Sequence, residues 1–155
     1  RPWEVPGRMV TRSGASCKAV EVRSAWDLAG GAMAENIPGD LRLALAGPTV
    51  WIDEPALFDD EEGLLTVIQN LRTRREVFIS GLSQTSEGEP FGKAMPYLLA
   101  VADEVVMLRA RCERCGKLRS ATRTLWVGTE EKGGQVRPGD EGYVVVCPPC
   151  GAEMV

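Results

Sequence analysis

Histidine is absent from all 155 residues. Its absence removes Ser–His and Cys–His nucleophile pairs and leaves cysteine and carboxylate as the side chains able to hold a metal. No apolar run approaches the roughly 18 residues that a membrane-spanning helix needs, and no secretory signal opens the chain, so no membrane partner is expected. Lys and Arg number 18 against 22 Asp and Glu, a net charge of −4, which argues against a broad nucleic-acid surface. Also missing is a Gly-x-x-x-x-Gly-Lys-Ser/Thr loop, whose amides cradle phosphates. The chain begins at Arg1 rather than Met, so its N-terminal side is treated as incomplete.

A hydrophobic content of 44% with 26% charge suits a globular protein with a real core. The length fits one domain, or one domain with a small appendage. Residues 1–17, rich in Pro, Gly, Arg and Ser, read as loop, and Lys18–Arg23 alternates as a short strand would. Ser24 is placed to cap a helix beginning at Ala25. Thr49–Asp53 reads as a strand. Asp59 and Asp60 then mark a helix start, with Leu64, Leu65, Ile68 and Leu71 at helical spacing, and Glu76–Ser80 is a second apolar strand. A helical crossover between two strands implies parallel pairing. A polar loop over residues 83–93, a helix over Met95–Asp103 and a third strand over Glu104–Leu108 follow. The expected fold class is α/β, a parallel-sheet core over residues 1–110. After Ala110 helical periodicity stops, and residues 111–155 form a separate small domain.

Four of the five cysteines fall in two C-x-x-C pairs, Cys112/Cys115 and Cys147/Cys150, with a spacer over residues 116–146. Each knuckle brings two thiolates to one ion, and two knuckles make a closed tetrahedral site, the signature of structural zinc. Two disulfides, unrelated thiols or an iron–sulfur cluster are the alternatives. The metal reading goes with a reducing, cytoplasmic compartment. Cys17 reads as a plain thiol.

In Val50-Trp51-Ile52-Asp53-Glu54-Pro55-Ala56-Leu57-Phe58 an apolar strand ends on two carboxylates. Ligands of open α/β sheets bind at that edge. An aspartate there can hold Mg²⁺ and the neighbouring glutamate can act as a base; Asp-Glu-Pro can equally be no more than the start of a loop.

Residues 49–155 resemble the cytosolic-type (type II) thymidine kinases. The resemblance is carried in order by VWIDEPALF, by Gly81-Leu82 with Gly88-Glu89-Pro90-Phe91-Gly92, by Met95–Ala100, and by Cys112/Cys115, Ala121–Thr124 and Tyr143 ahead of Cys147. It implies a phosphate-loop-kinase-like core whose phosphate loop lies upstream of Arg1 or has been lost, and a lasso held by zinc. It further implies Glu54 as the base toward the sugar 5′-hydroxyl and Asp53 as the residue assisting Mg²⁺ with ATP. Leu57, Phe58, Leu82, Thr122, Val136, Gly139 and Tyr143 would contact the nucleoside, and Cys112, Cys115, Cys147 and Cys150 would hold structural Zn²⁺. The implied substrates are ATP and thymidine or a related deoxynucleoside, and the implied assembly is a homotetramer.

The sequence departs from the family at Pro55-Ala56, where Ala-Gln is usual, at Ser83 for Asp, at Glu87 for Arg, and at Arg137-Pro138 in the lasso. Such changes at the site, with the missing phosphate loop, also fit a kinase-like binding or assembly module without catalysis. A zinc ribbon used for contacts alone is a third reading.

Overall fold

A computed structural model of the chain describes residues 8–10, 16–20, 22, 24, 25, 28, 46–58, 60–128 and 142–154. Val136, Gly139, Arg137-Pro138 and most of the helix expected after Ser24 lie outside the described residues. Their contacts divide the chain into two compact units, Arg1–Gly81 and Leu82–Val155.

In the first unit, β1 (Arg8–Val10) pairs antiparallel with β2 (Ser16–Lys18), with Met9 opposite Cys17. This corrects the reading of residues 1–17 as loop, and moves the strand expected at Lys18–Arg23 upstream. Three-residue strands are too short for their alternation to stand out from Pro- and Gly-rich surroundings.

The β-branched and aromatic residues of Thr49–Asp53 suit a pleated backbone and form β3. A short 3₁₀ turn at Pro55–Leu57 leads on to α1 (Glu61–Arg72), and Glu76–Ser80 forms β4. β3 and β4 are parallel, in register from Thr49↔Glu76 to Asp53↔Ser80. The helical spacing is borne out: Leu64, Val67, Ile68 and Leu71 are buried along one stripe of α1, which packs on β4 and on the 3₁₀ turn. Leu65, counted in that stripe, is half-buried. Val50 and Ile52 are buried on one face of β3. Because side chains alternate along a strand, Trp51, Asp53, Phe78 and Ser80 share the other face. There Trp51 and Phe78 stack with ring centroids 4.3 Å apart, at 75% and 45% exposure.

Asp60 precedes α1 but makes no side-chain bond to that helix's own N-terminus. Its Oδ1 instead accepts the N–H of Ala25 at 2.7 Å. Ala25 and Leu28 are helical and buried, so this carboxylate fixes a chain segment 35 residues away.

The second unit opens with the 83–93 loop. Phe91 N–H bonds to the Ser83 carbonyl, and Thr85 N–H to that of Glu89. The Thr85 hydroxyl accepts the N–H groups of Glu87 and Glu89 at 3.3 and 3.2 Å. α2 runs Ala94–Val101 and carries Pro96 in its first turn, where a missing N–H breaks no helical bond. The strand expected at Glu104–Leu108 does not form: these residues join no ladder among the described residues, and Val105, Val106, Met107 and Leu108 are 45–88% exposed. An apolar run reports a need for burial, but a strand also needs a hydrogen-bonding neighbour, and no described segment supplies one. β5 (Arg123–Trp126) and β6 (Tyr143–Val146) pair antiparallel, and α3 (Pro148–Ala152), with prolines at its N-terminus, packs on β5.

Candidate active site and metal centre

Asp53 and Glu54 leave the sheet at the carboxyl end of β3. Ser80, the register partner of Asp53, donates its Oγ–H to Asp53 Oδ1 at 2.5 Å. The Ser80 carbonyl accepts Glu54 N–H at 2.8 Å. Glu54 sits in the left-handed region (φ 49, ψ 48), which costs a non-glycine residue on the order of 1–3 kcal/mol and is found disproportionately at functional sites. Pro55 follows at the start of the 3₁₀ turn, and Leu57 N–H bonds back to the Glu54 carbonyl at 3.0 Å. Glu54 is half-buried with its Oε2 enclosed, whereas Asp53 is exposed. One carboxylate is thus open to a cation and its neighbour is shielded from water, an arrangement suited to a metal ligand beside a base.

In the second unit the four sulfurs of Cys112, Cys115, Cys147 and Cys150 lie within 4.8 Å of one another. A tetrahedral ion with bonds of about 2.3 Å sets sulfur–sulfur edges of about 3.8 Å, and Cys115 and Cys147 are 3.8 Å apart. None of the five cysteines is in a disulfide, and the meeting of all four paired sulfurs at one point favours a shared ion over two separate bridges. The first knuckle closes through Gly116 N–H to the Cys112 carbonyl at 2.9 Å, with Gly116 at φ 74. The second closes through Gly151 N–H to the Cys147 carbonyl at 2.9 Å.

The knuckles are also joined directly. Glu113 N–H bonds to the Val145 carbonyl, and Val145 N–H returns to Glu113 Oε2 at 3.0 Å. Arg114 reaches the Cys150 carbonyl at 3.1 Å and Glu153 at 2.8 Å. Backbone N–H groups of Cys115 and Cys147 lower the Cys112 thiol to about 6, against the opposing effect of burial. Cys150 is pushed up to about 12, first by the Cys147 thiol and then by burial. Four sulfurs this close cannot all carry charge without a cation among them.

Residues 40–150 match the family model for Thymidine kinase, a span that takes in the acidic strand end, the 83–93 loop and all four paired cysteines. The chain belongs to the thymidine kinase family. It is 36% identical over 118 residues to a protein named Thymidine kinase from Coprothermobacter proteolyticus, covering 76% of this chain and 52% of that one. It is 46% identical over 72 residues to another of the same name from Bacteroides thetaiotaomicron, covering 46% of this chain and 35% of that one. The chain therefore spans about half the length of the first relative and about a third of the second.

Of the residues singled out from sequence, Asp53, Glu54, Leu57 and Phe58 lie in the first unit. Leu57 is 51% exposed, whereas Phe58 is buried in the core. Leu82, Thr122, Tyr143 and the four cysteines lie in the second. Leu82 and Thr122 are exposed, and Tyr143 meets Trp126 edge-on, ring centroids 4.8 Å apart. Two further residues at these sites, Ser80 and Trp126, belong to no motif in the sequence. Ser80 was noticed only as a strand end; the signal was its place opposite Asp53 once parallel pairing is assumed. Trp126 lies against Gly128 and Gly142, where an added Cβ would come within 2.3 and 2.5 Å of its ring. Glycines just outside a strand pair were the signal there.

Proposed function

We propose that the complete protein transfers the γ-phosphoryl group of ATP to the 5′-hydroxyl of thymidine or a related deoxynucleoside. The observation that carries this reading is the family match across residues 40–150, within which a strand end holds one exposed and one shielded carboxylate. Glu54 takes the proton of the 5′-hydroxyl as its oxygen bonds to the γ-phosphorus and ADP leaves. Asp53 would hold Mg²⁺, a hard cation bound through one or two carboxylates and the substrate phosphates, which would supply neutralisation of the charge developing on those phosphates. The phosphate cradle is not among these 155 residues and belongs, in this proposal, to the remainder of the protein. Leu57, Phe58, Leu82, Thr122 and Tyr143, with the backbone around Val136 and Gly139, are assigned to nucleoside contact.

Zn²⁺ is the ion proposed for Cys112, Cys115, Cys147 and Cys150. Four thiolates leave no open position, so its role is structural, anchoring the stems of a lasso over residues 111–155, with residues 1–110 proposed as the kinase core. A cytoplasmic homotetramer completes the proposal.

The test is phosphorylation of thymidine by the full-length protein with Mg·ATP, run beside the other deoxynucleosides. Transfer to thymidine in preference to purine deoxynucleosides is expected; transfer to none of them would overturn the assignment. A second reading, a binding module without catalysis, is favoured by Glu87, which places a carboxylate where the family usually has arginine and is unfavourable beside phosphates. Calorimetric titration distinguishes the two, since the module binds thymidine without binding ATP.

A further inference from the structure

Asp53 and Ser80 are paired at the carboxyl ends of β3 and β4. Ser80 engages both members of the acidic pair by different atoms. Its hydroxyl donates to Asp53 Oδ1 at 2.5 Å. Its carbonyl accepts Glu54 N–H at 2.8 Å, which holds the backbone as it turns into the left-handed region at Glu54. An exposed aspartate at a strand end otherwise samples several rotamers, and ordering it at the moment of cation binding is unfavourable. A hydroxyl bound to Oδ1 selects one rotamer beforehand, and Oδ2 would then be the oxygen offered to a cation.

We propose that Ser80 is a positioning residue of the phosphoryl-transfer site, orienting Asp53 through its hydroxyl and Glu54 through its carbonyl. This rests on the reading of Asp53 and Glu54 as cation ligand and base. The side chain and the carbonyl are separable by mutation. Ser80→Ala removes only the bond to Asp53, and Ser80→Thr keeps a hydroxyl on a β-branched residue suited to a strand. Because Ser80 is exposed, neither change opens a cavity, and far-UV circular dichroism checks that both variants fold.

The experiment uses the full-length protein. Mn²⁺ binding in the presence of a non-hydrolysable ATP analogue is followed by electron paramagnetic resonance, alongside kcat and the KM values for Mg·ATP and thymidine. Ser80→Ala is expected to weaken Mn²⁺ binding about 10- to 100-fold, the range seen when a partner of a metal ligand is removed. kcat/KM for Mg·ATP should fall by a similar factor with the thymidine KM unchanged, and Ser80→Thr should recover most of both losses. If Ser80→Ala leaves Mn²⁺ affinity and turnover intact while Asp53→Asn abolishes both, the positioning role is wrong and the phosphoryl-transfer reading stands. Failure of Ser80→Thr to recover the loss also overturns the role, since it attributes the loss to the strand and not to the hydroxyl. If Asp53→Asn and Glu54→Gln both leave binding and turnover unchanged, the underlying reading falls and the inference with it.

Discussion

Removing one thiol from the cysteine centre should unfold the strand pair that the centre holds. The buried cluster around it consists of Cys112, Ala121, Leu125, Val146 and Cys147, of which Leu125 and Val146 are the long aliphatic members. Full burial of each contributes about 1.5–3 kcal/mol, so together they supply roughly 3–6 kcal/mol. A structural zinc ion in a small domain contributes about 10–16 kcal/mol. A zinc ion held there, as proposed, would therefore outweigh the core beside it, and Cys147→Ser in the full-length protein should lose metal together with the β5–β6 pairing. Hydrogen exchange read by mass spectrometry is the assay, with Arg123–Trp126 and Tyr143–Val146 as reporters and β3–β4 as the internal reference. Loss of even about 4 kcal/mol lowers protection roughly a thousandfold, at 1.4 kcal/mol per decade. Unchanged protection in a protein shown to be metal-free, with its remaining paired cysteines open to a thiol reagent, would mean that the strand pair stands without the ion.

Gly142→Ala should destabilise the second unit by about 2–5 kcal/mol. Its φ of 81 is unfavourable for alanine by roughly 1–2 kcal/mol, and a Cβ 2.5 Å from the Trp126 ring adds about 1–3 kcal/mol of overpacking. Urea denaturation followed by tryptophan fluorescence measures the loss, and a shift below about 0.5 kcal/mol would contradict the contact. Asp60→Ala strands the buried Ala25 N–H, a change of about 1–3 kcal/mol; the urea midpoint reads it, and no shift would mean that the bond is dispensable. The exposed run Val105–Leu108, with Trp51 on the sheet face, makes the 155-residue chain by itself prone to association. The pair Val106→Lys and Leu108→Lys should raise its monomer fraction in light scattering, and an unchanged distribution would clear that segment.

The strand–helix–strand unit was legible because two periods, alternation in β3 and β4 and the Leu64–Ile68–Leu71 spacing in α1, change cleanly at Asp53 and Glu76. The cysteine centre was legible because C-x-x-C constrains two ligands locally, and only their meeting needed the fold. Other features depend on pairing that composition does not encode. β1 and β2 are held by backbone bonds between three-residue segments. The Ser80–Asp53 bond exists only because β3 and β4 align Asp53 with Ser80 and not with a neighbour. Glu104–Leu108 shows the converse: its apolar pattern is strong, yet it has no ladder partner among the described residues. Pro55, a departure from the family's usual Ala-Gln, starts the turn that follows Glu54 and lies buried.

The most direct measurement is single-turnover phosphoryl transfer from Mg·ATP to thymidine by the full-length protein and its Glu54→Gln variant. Glutamine keeps the shape of the side chain and removes its basicity, so a fall of about 10²- to 10⁴-fold in the rate of transfer is expected, with thymidine still bound. Transfer at an undiminished rate by Glu54→Gln would contradict the assignment of this strand end as the catalytic edge.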